Sequence, residues 1–260
     1  MLSKLYRKTV RAFFRYDPTF IDWYHHPALQ GTGAYYLKKV FSVLDPLKDK
    51  KEKIRILDLG CQAGRITIPI LQAGFKDTLG IDQSGMALRA AQRTLKSLSL
   101  TGQFKKMDLA YFVAECPTTS VDVIISIETL YLCLNFDRLI QNIARILKPG
   151  GYLIATFKTK SYFFTELVLK NELEKARFVL YASEGEVKDL GRNWQSQKEL
   201  LRLLAAHGME CISSEFFSFF DPKKVDLKEY LDRYPEDQSK IDFLDDEGRE
   251  SVVIGRKTHG

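Results

Sequence analysis

Two glycines and three aspartates in the first half of the chain carry the spacing of a ligand site. Residues 54–67 read Ile54-Arg55-Ile56-Leu57-Asp58-Leu59-Gly60-Cys61-Gln62-Ala63-Gly64-Arg65-Ile66-Thr67, and Gly80-Ile81-Asp82 follows. A buried strand, a glycine turn, a helix and a second strand ending on an acid form the first half of a nucleotide-binding α/β unit. In such units the ligand lies across the carboxyl ends of parallel strands. A dinucleotide fingerprint needs glycines at the first, third and sixth positions of G-x-G-x-x-G, so that the backbone can approach a pyrophosphate. Counted from Gly60 those positions hold Gly60, Gln62 and Arg65, and two of the three fail. What remains is Asp58-x-Gly60-x-x-x-Gly64, with a carboxylate at Asp82.

That remnant resembles motif I of the class I S-adenosylmethionine methyltransferases, which usually runs D-x-G-x-G-x-G; Gln62 stands in place of the middle glycine. Four further segments extend the resemblance over about residues 53–158. Asp82 falls where the family keeps the carboxylate that holds the ribose hydroxyls. Lys106-Met107-Asp108-Leu109 resembles the segment after the third strand, whose Asp reaches the adenine amino group. Val121-Asp122-Val123-Ile124-Ile125-Ser126-Ile127-Glu128 resembles the fourth strand and its active-site end. Leu147-Lys148-Pro149-Gly150-Gly151 matches the turn leading into the fifth. The resemblance implies a Rossmann-like α/β fold: a seven-stranded, mostly parallel sheet with an antiparallel last strand, N-terminal helices and a helical insertion after strand five. It also implies S-adenosylmethionine as cofactor, held by Asp58, Gly60, Cys61, Gln62, Gly64, Asp82, Gln83, Asp108, Leu109 and Ser126.

This cofactor carries no phosphate. Its sulfonium cation and zwitterionic amino-acid end call for backbone amides, an acidic rim and a flat apolar slot. Each residue also has a plainer reading. Gly60 and Gly64 can simply make a tight turn, Asp58 can structure the loop, and Asp82 can stabilise the following helix dipole. Cys61 reads as a small buried filler and not as a nucleophile.

Methyl transfer from a sulfonium is an in-line displacement, in which alignment alone is worth up to ~7–11 kcal/mol. A general base is needed only for an acceptor protonated at working pH. Glu128 and Tyr131, after strand four, are the candidates facing the acceptor. His25 and His26, in Trp23-Tyr24-His25-His26, are candidate bases near neutral pH, and Arg192, Asn193 and Trp194 are candidate pocket residues. Missing motifs exclude several acceptors. There is no N-P-P-[FY] signature of amino-methylating nucleic-acid enzymes, and no Pro-Cys of cytosine-C5 enzymes, since Cys116-Pro117 is reversed. There is also no paired-glutamate loop after strand four and no acidic cluster for a polyamine. A small-molecule acceptor remains, aromatic or lipophilic if Tyr162, Phe163, Phe164 and the Phe216–Phe220 run line a pocket and do not only pack the core. The alternatives are a non-catalytic protein of the same fold that binds a ligand or partner, motivated by Gln62, and an RNA methyltransferase.

At 260 residues, 45% hydrophobic and 28% charged, the chain suits one α/β domain with additions. Residues 53–260 are expected to form that domain, with insertions at about 160–193 and 221–250, and 1–52 a helical extension. The net charge of +6 is concentrated at the start. Lys4, Arg7, Lys8, Arg11 and Arg15 carry +5 within residues 1–16, leaving about +1 for the rest, so no broad nucleic-acid surface is expected. Residues 2–15 fit an amphipathic helix, read either as a peripheral membrane contact or as packing on the protein. No apolar run reaches the ~18 residues of a membrane span, and no apolar segment at the start reads as a secretory signal. The four cysteines contain no C-x-x-C pair, so no metal is expected and a cytoplasmic setting is the simplest. The spacing predicts helices at about 34–44, 65–73, 84–98, 136–147, 162–181 and 196–207. Strands are predicted at about 54–59, 77–82, 103–107, 121–126, 151–157, 210–220 and 251–257.

Overall fold

The structure, a computed structural model, describes residues 27–187, 190–217, 226–241 and 250–258. The predicted helix at 2–15 and the pair His25–His26 lie outside those residues, as do Trp23, Tyr24 and the end of the phenylalanine run from 218 onward. Internal contacts divide the chain into two compact units, residues 1–112 and 113–260.

The first unit begins with helix α1 (Pro27–Leu44) and a 3-10 helix at Asp45–Lys53. Three strands follow, β1 (Ile56–Leu59), β2 (Thr78–Asp82) and β3 (Gln103–Lys106), with α2 (Thr67–Gln72) and α3 (Gly85–Ser97) between them. β1 pairs parallel to β2 and β2 parallel to β3. All four residues of β1 are buried, as expected for a strand of a parallel sheet covered on both faces. Helix α1 begins earlier than the predicted 34–44, running through Gly31 and Gly33. A helical glycine costs only about 1 kcal/mol against alanine, and burying Tyr36, Val40, Val43 and Leu44 outweighs that.

In the second unit, helix α4 (Leu109–Glu115), which begins at the end of the first, leads to β4 (Val121–Ser126), α5 (Phe136–Ile146) and β5 (Leu147–Lys158). Helix α4 was not expected. Its last carbonyls are met by one side chain: the Arg145 guanidinium donates to the carbonyls of Val113 (2.8 Å), Ala114 (3.1 Å) and Cys116 (2.8 Å). Helix α5 buries Phe136, Leu139, Ile140, Ile143 and Ala144, a stripe at helical spacing. β5 continues into α6 (Lys160–Leu169), α7 (Leu173–Tyr181), a hairpin of β6 (Glu184–Val187) and β7 (Gly191–Asn193), then α8 (Gln197–Ala206) and β8 (Met209–Phe217). Short helices α9 (Lys228–Arg233) and α10 (Gln238–Ile241) precede β9 (Glu250–Lys257).

The seven-stranded sheet has the order β3-β2-β1-β4-β5-β9-β8, with β5–β9 and β9–β8 antiparallel and β6–β7 a separate ribbon. This is the expected mostly parallel sheet with an antiparallel edge and a helical insertion after strand five.

The insertion differs in one respect from the single helix predicted at 162–181. It is two helices, because Asn171 takes a left-handed conformation (φ 55°). Its amide donates to the Val168 carbonyl and that of Glu172 to the Leu167 carbonyl, a Schellman stop in which asparagine substitutes for glycine. Trp194, which the sequence made a pocket candidate, is fully buried among Phe163, Val179 and Leu180. Its indole N–H donates to the carbonyls of Ala182 (2.8 Å) and Val179 (3.2 Å), so it closes the insertion's core. Phe163 and Phe164 join the same core.

Helix α8 starts at a capping box. Ser196 Oγ accepts from the Glu199 amide and Glu199 Oε2 accepts from the Ser196 amide. The Ser196→Ala variant should lose about 1 kcal/mol of unfolding free energy. Urea denaturation reads this as a lower midpoint with an unchanged slope; an unaltered midpoint would mean that the box does not hold the helix.

Candidate functional site

Three strand ends of the first unit are tied together by a chain of hydrogen bonds. After β1 the backbone turns back on itself, with the amides of Gly60 and Cys61 both donating to the Ile81 carbonyl (2.8 and 3.0 Å). Gly60 (φ 81°), Gln62 (φ 47°) and Gly64 (φ 83°) are all left-handed. Gln62 therefore adopts the conformation for which a glycine is ordinarily used, at a cost of roughly 1–2 kcal/mol. Its amide donates to Asp82 Oδ2 at 2.9 Å. Asp82, the last residue of β2, also accepts the Ser84 amide on Oδ1 at 2.7 Å, and Ser84 caps α3 through the Ala87 amide (3.2 Å). Burial raises the Asp82 pKa, and the amides of Ser84, Gln62 and Gln83 oppose that rise. The two carboxylate oxygens together offer about four acceptor positions, so capacity remains for an incoming hydroxyl.

The chain continues through the next residue. Gln83 Nε2 donates to Asp108 Oδ2 at 2.6 Å, and Asp108 Oδ1 accepts the Tyr111 amide at 3.1 Å, capping α4. Asp108 is exposed and Leu109, beside it, is buried. Gln62, Asp82, Gln83 and Asp108, named from sequence, thus form one connected rim. This rim of half-buried and exposed carboxylates with left-handed backbone beside it suits a ligand rich in hydroxyl and amino groups, as a nucleoside is.

Asp58 lies beneath the turn. It is almost completely buried and accepts the Thr67 hydroxyl at 2.6 Å on Oδ2, and burial raises its pKa to about 6, against the opposing effects of Thr67 and Arg65. Cys61 is buried as well; desolvation first, and then the charges of Asp58 and Asp82, push its thiol pKa well up. A thiol so held is not a nucleophile at neutral pH. Thr67 was missed in the sequence, although a hydroxyl opening the helix after a buried Asp is a signal that could have found it.

In the second unit Ser126 is buried at the end of β4, in register with Ala155 of β5. Two residues on, Glu128 takes a left-handed conformation (φ 57°), fixed by its amide donating to Thr156 Oγ1 at 2.7 Å. Strain of this sort, about 1–3 kcal/mol, collects at functional sites. The Tyr131 hydroxyl donates to Glu128 Oε2 at 3.0 Å, so the two acceptor-side candidates meet. Asn193 Nδ2 donates to the carbonyls of Leu130 and Cys133, both at 2.8 Å, and so holds the turn that carries Tyr131. Asn193 and Trp194 are buried, whereas Arg192 is exposed. No group of three or more potential metal ligands occurs among the described residues.

Asp58 makes a pH-dependent contribution whose sign is set by its raised pKa. The neutral acid is favoured in the fold, so its stabilising contribution is complete below pH ~4 and lost as pH rises through about 6. That loss is of order 3 kcal/mol at pH 7.5. Asp58→Asn keeps an oxygen for Thr67 and carries no charge. It should exceed the wild type in urea stability at pH 7.5 by roughly 1–3 kcal/mol, with the gap closing towards pH 4.5. A gap independent of pH would show that Asp58 is not the buried charge described.

A family model described as a methyltransferase domain matches residues 33–214. The ubiquinone biosynthesis O-methyltransferase of Rhizobium etli is 23% identical over 177 residues, which are 66% of this chain and 65% of that protein. The polyketide synthase component of compactin nonaketide synthase from Penicillium citrinum is 27% identical over 143 residues, 53% of this chain and 5% of that protein. The chain thus spans less than two thirds of either relative. Among solved structures, magnesium protoporphyrin IX methyltransferase from Synechocystis PCC 6803 with bound SAH superposes with a TM-score of 0.60 at 17% identity, covering 96% of this chain and 99% of that one. The [4+2]-cyclase SpnF superposes with a TM-score of 0.54 at 21% identity, covering 83% and 81%. With the family model spanning most of the sheet and both sets of candidate residues, the chain belongs to the methyltransferase-domain family, the class I S-adenosylmethionine-dependent methyltransferases.

Proposed function

We propose that this methyltransferase methylates a small aromatic or lipophilic molecule, with Glu128 and Tyr131 facing the acceptor. The observation carrying this is the hydrogen bond from Tyr131 to a Glu128 held in a left-handed backbone. A carboxylate restrained in that way beside a phenol, at the end of β4, suits orienting a polar acceptor group and receiving its proton. The name of the Rhizobium etli relative, an O-methyltransferase of ubiquinone biosynthesis, supports the same class of acceptor.

S-adenosylmethionine supplies an electrophilic methyl group on a sulfonium, which becomes a neutral thioether. The residues suited to hold it are the left-handed turn Gly60–Gly64, Asp82 for the ribose hydroxyls, and Asp108 with Gln83 for the adenine end. Hydrogen bonds from a diol to the Asp82 carboxylate are charge-assisted and worth about 1.5–3 kcal/mol each. The chemical step itself asks mainly for alignment, and for a base where the acceptor is a hydroxyl. The N-terminal basic segment lies outside the described residues and has no part in this reading. No described helix is long and apolar enough to cross a membrane.

Gln62 separates the catalytic reading from a ligand-binding one. Its side chain departs from the family pattern, while its backbone retains the left-handed turn and the Asp82 contact. Calorimetric titration with S-adenosylhomocysteine should therefore show Asp82→Ala weakened by at least about tenfold. Gln62→Gly, which relieves the strained backbone, should bind as well as the wild type or better. Equal affinity for Asp82→Ala and wild type would remove the ribose assignment, and failure of Gln62→Gly to bind would make the glutamine side chain a ligand contact.

A further inference from the structure

Lys158, the last residue of β5, stands at the Glu128–Tyr131 pair without having been named by the sequence. Its Nζ lies 4.4 Å from the ring centroid of Tyr131 and 5.1 Å from that of Tyr162 in α6. Tyr131 is buried, so its ring has limited freedom. The Gly191 backbone closes another side, since a Cβ there would come within 3.1 Å of the ring. Glu128, after β4, bonds the Tyr131 hydroxyl and Lys158 of β5 lies over its ring; Tyr162 of α6 shares the Lys158 ammonium, and the exposed Arg192 of β7 follows Gly191 in sequence.

We infer that Lys158 is a positioning residue that tunes Tyr131 as the proton-accepting group of a relay, and that the acceptor is therefore a hydroxyl, of the phenol class. The inference rests on the proposed role of Glu128 and Tyr131. An ammonium over a ring face is attracted by the ring's electron density, and the attraction grows as the ring becomes more electron-rich. Loss of the phenolic proton has that effect. Lys158 thus favours the charge that Tyr131 takes on while a proton passes through it.

The relay balances. The acceptor's O–H bond breaks, and its proton goes to Tyr131 Oη as the Tyr131 proton passes to Glu128 Oε2 along the existing 3.0 Å hydrogen bond. The electron pair left on the acceptor oxygen forms the new bond to the methyl carbon. Tyr131 ends neutral and Glu128 protonated, and Glu128 returns its proton to water once product has left. An amine attacking as its free base already has a lone pair for the methyl carbon and sheds its proton to water only after transfer, so it needs no proton taken from it before attack.

Two measurements test this. The first needs no acceptor: tyrosinate absorbance is titrated in wild type, Lys158→Met and Lys158→Arg, with Tyr131→Phe subtracted to isolate Tyr131. Tyr131 in Lys158→Met should be a roughly three- to tenfold weaker acid than in wild type, the change a cation over a ring is worth. Lys158→Arg should remain close to wild type. Identical titration of Tyr131 in wild type and Lys158→Met overturns the inference whatever the acceptor. The second is the pH profile of kcat with catechol and 4-hydroxybenzoate as probe acceptors. In Lys158→Met the ascending limb should move to higher pH, with kcat at pH 7 reduced by about tenfold or more and S-adenosylhomocysteine affinity unchanged. A reduced kcat with an unmoved limb would make Lys158 merely structural. Wild-type binding of S-adenosylhomocysteine with no methyl transfer to any hydroxyl, but transfer to an amine such as histamine, would overturn the hydroxyl assignment and leave the methyltransferase reading intact.

Discussion

A single carboxylate organises the first unit. Asp82 grips the amide of Gln62 on one oxygen and that of Ser84 on the other, and so joins the turn after β1 to the start of α3. Each amide belongs to a segment that would otherwise have several unpaired backbone donors, the left-handed turn in one case and a helix N-terminus in the other. Burial raises the Asp82 pKa, and the amides that bond it oppose that rise. The glycines, the capping serine and the Gln83–Asp108 contact are arranged around this carboxylate. The proposed donor site would thus use the same groups with which the fold satisfies its own strand ends.

The second unit applies a different device at the end of β4. Glu128 is strained where an unstrained backbone would be cheaper, and Thr156 pins it through a hydrogen bond to its amide. The neighbouring turn is held from below by the buried Asn193 amide, which in turn is fixed by the insertion core around Trp194. The insertion after β5 therefore supports the position of Tyr131. That links a feature of sequence organisation, the long excursion between β5 and β8, to the proposed chemistry.

Much of this was legible beforehand, for physical reasons that differ between elements. β1 and β4 are short apolar runs bounded by a turn, and the Ser84 and Ser196 caps announce their helices by residue type and position. Asp82 followed from its place at a strand end, and Asp108 from the family resemblance. Other features depended on contacts that no local pattern encodes. The stop at Asn171 hides in a run of good helix formers, and α1 passes through two glycines because distant burial outweighs their cost. Helix α4 closes on Arg145, about thirty residues away. Lys158 was invisible because β5 reads as an apolar strand ending on an ordinary surface lysine, and only the fold brings its ammonium over Tyr131.

The central claim is that the methyl donor is held at the joined ends of β1, β2 and β3. Backbone amide NMR, with S-adenosylhomocysteine titrated into the labelled protein, tests it most directly, because Gln62 and Ser84 report on Asp82 from either side. The account predicts the largest shifts at Gly60–Gly64, Gln83, Ser84 and Leu109. Saturable binding that leaves these amides unmoved, with shifts gathered elsewhere in the chain, would contradict it.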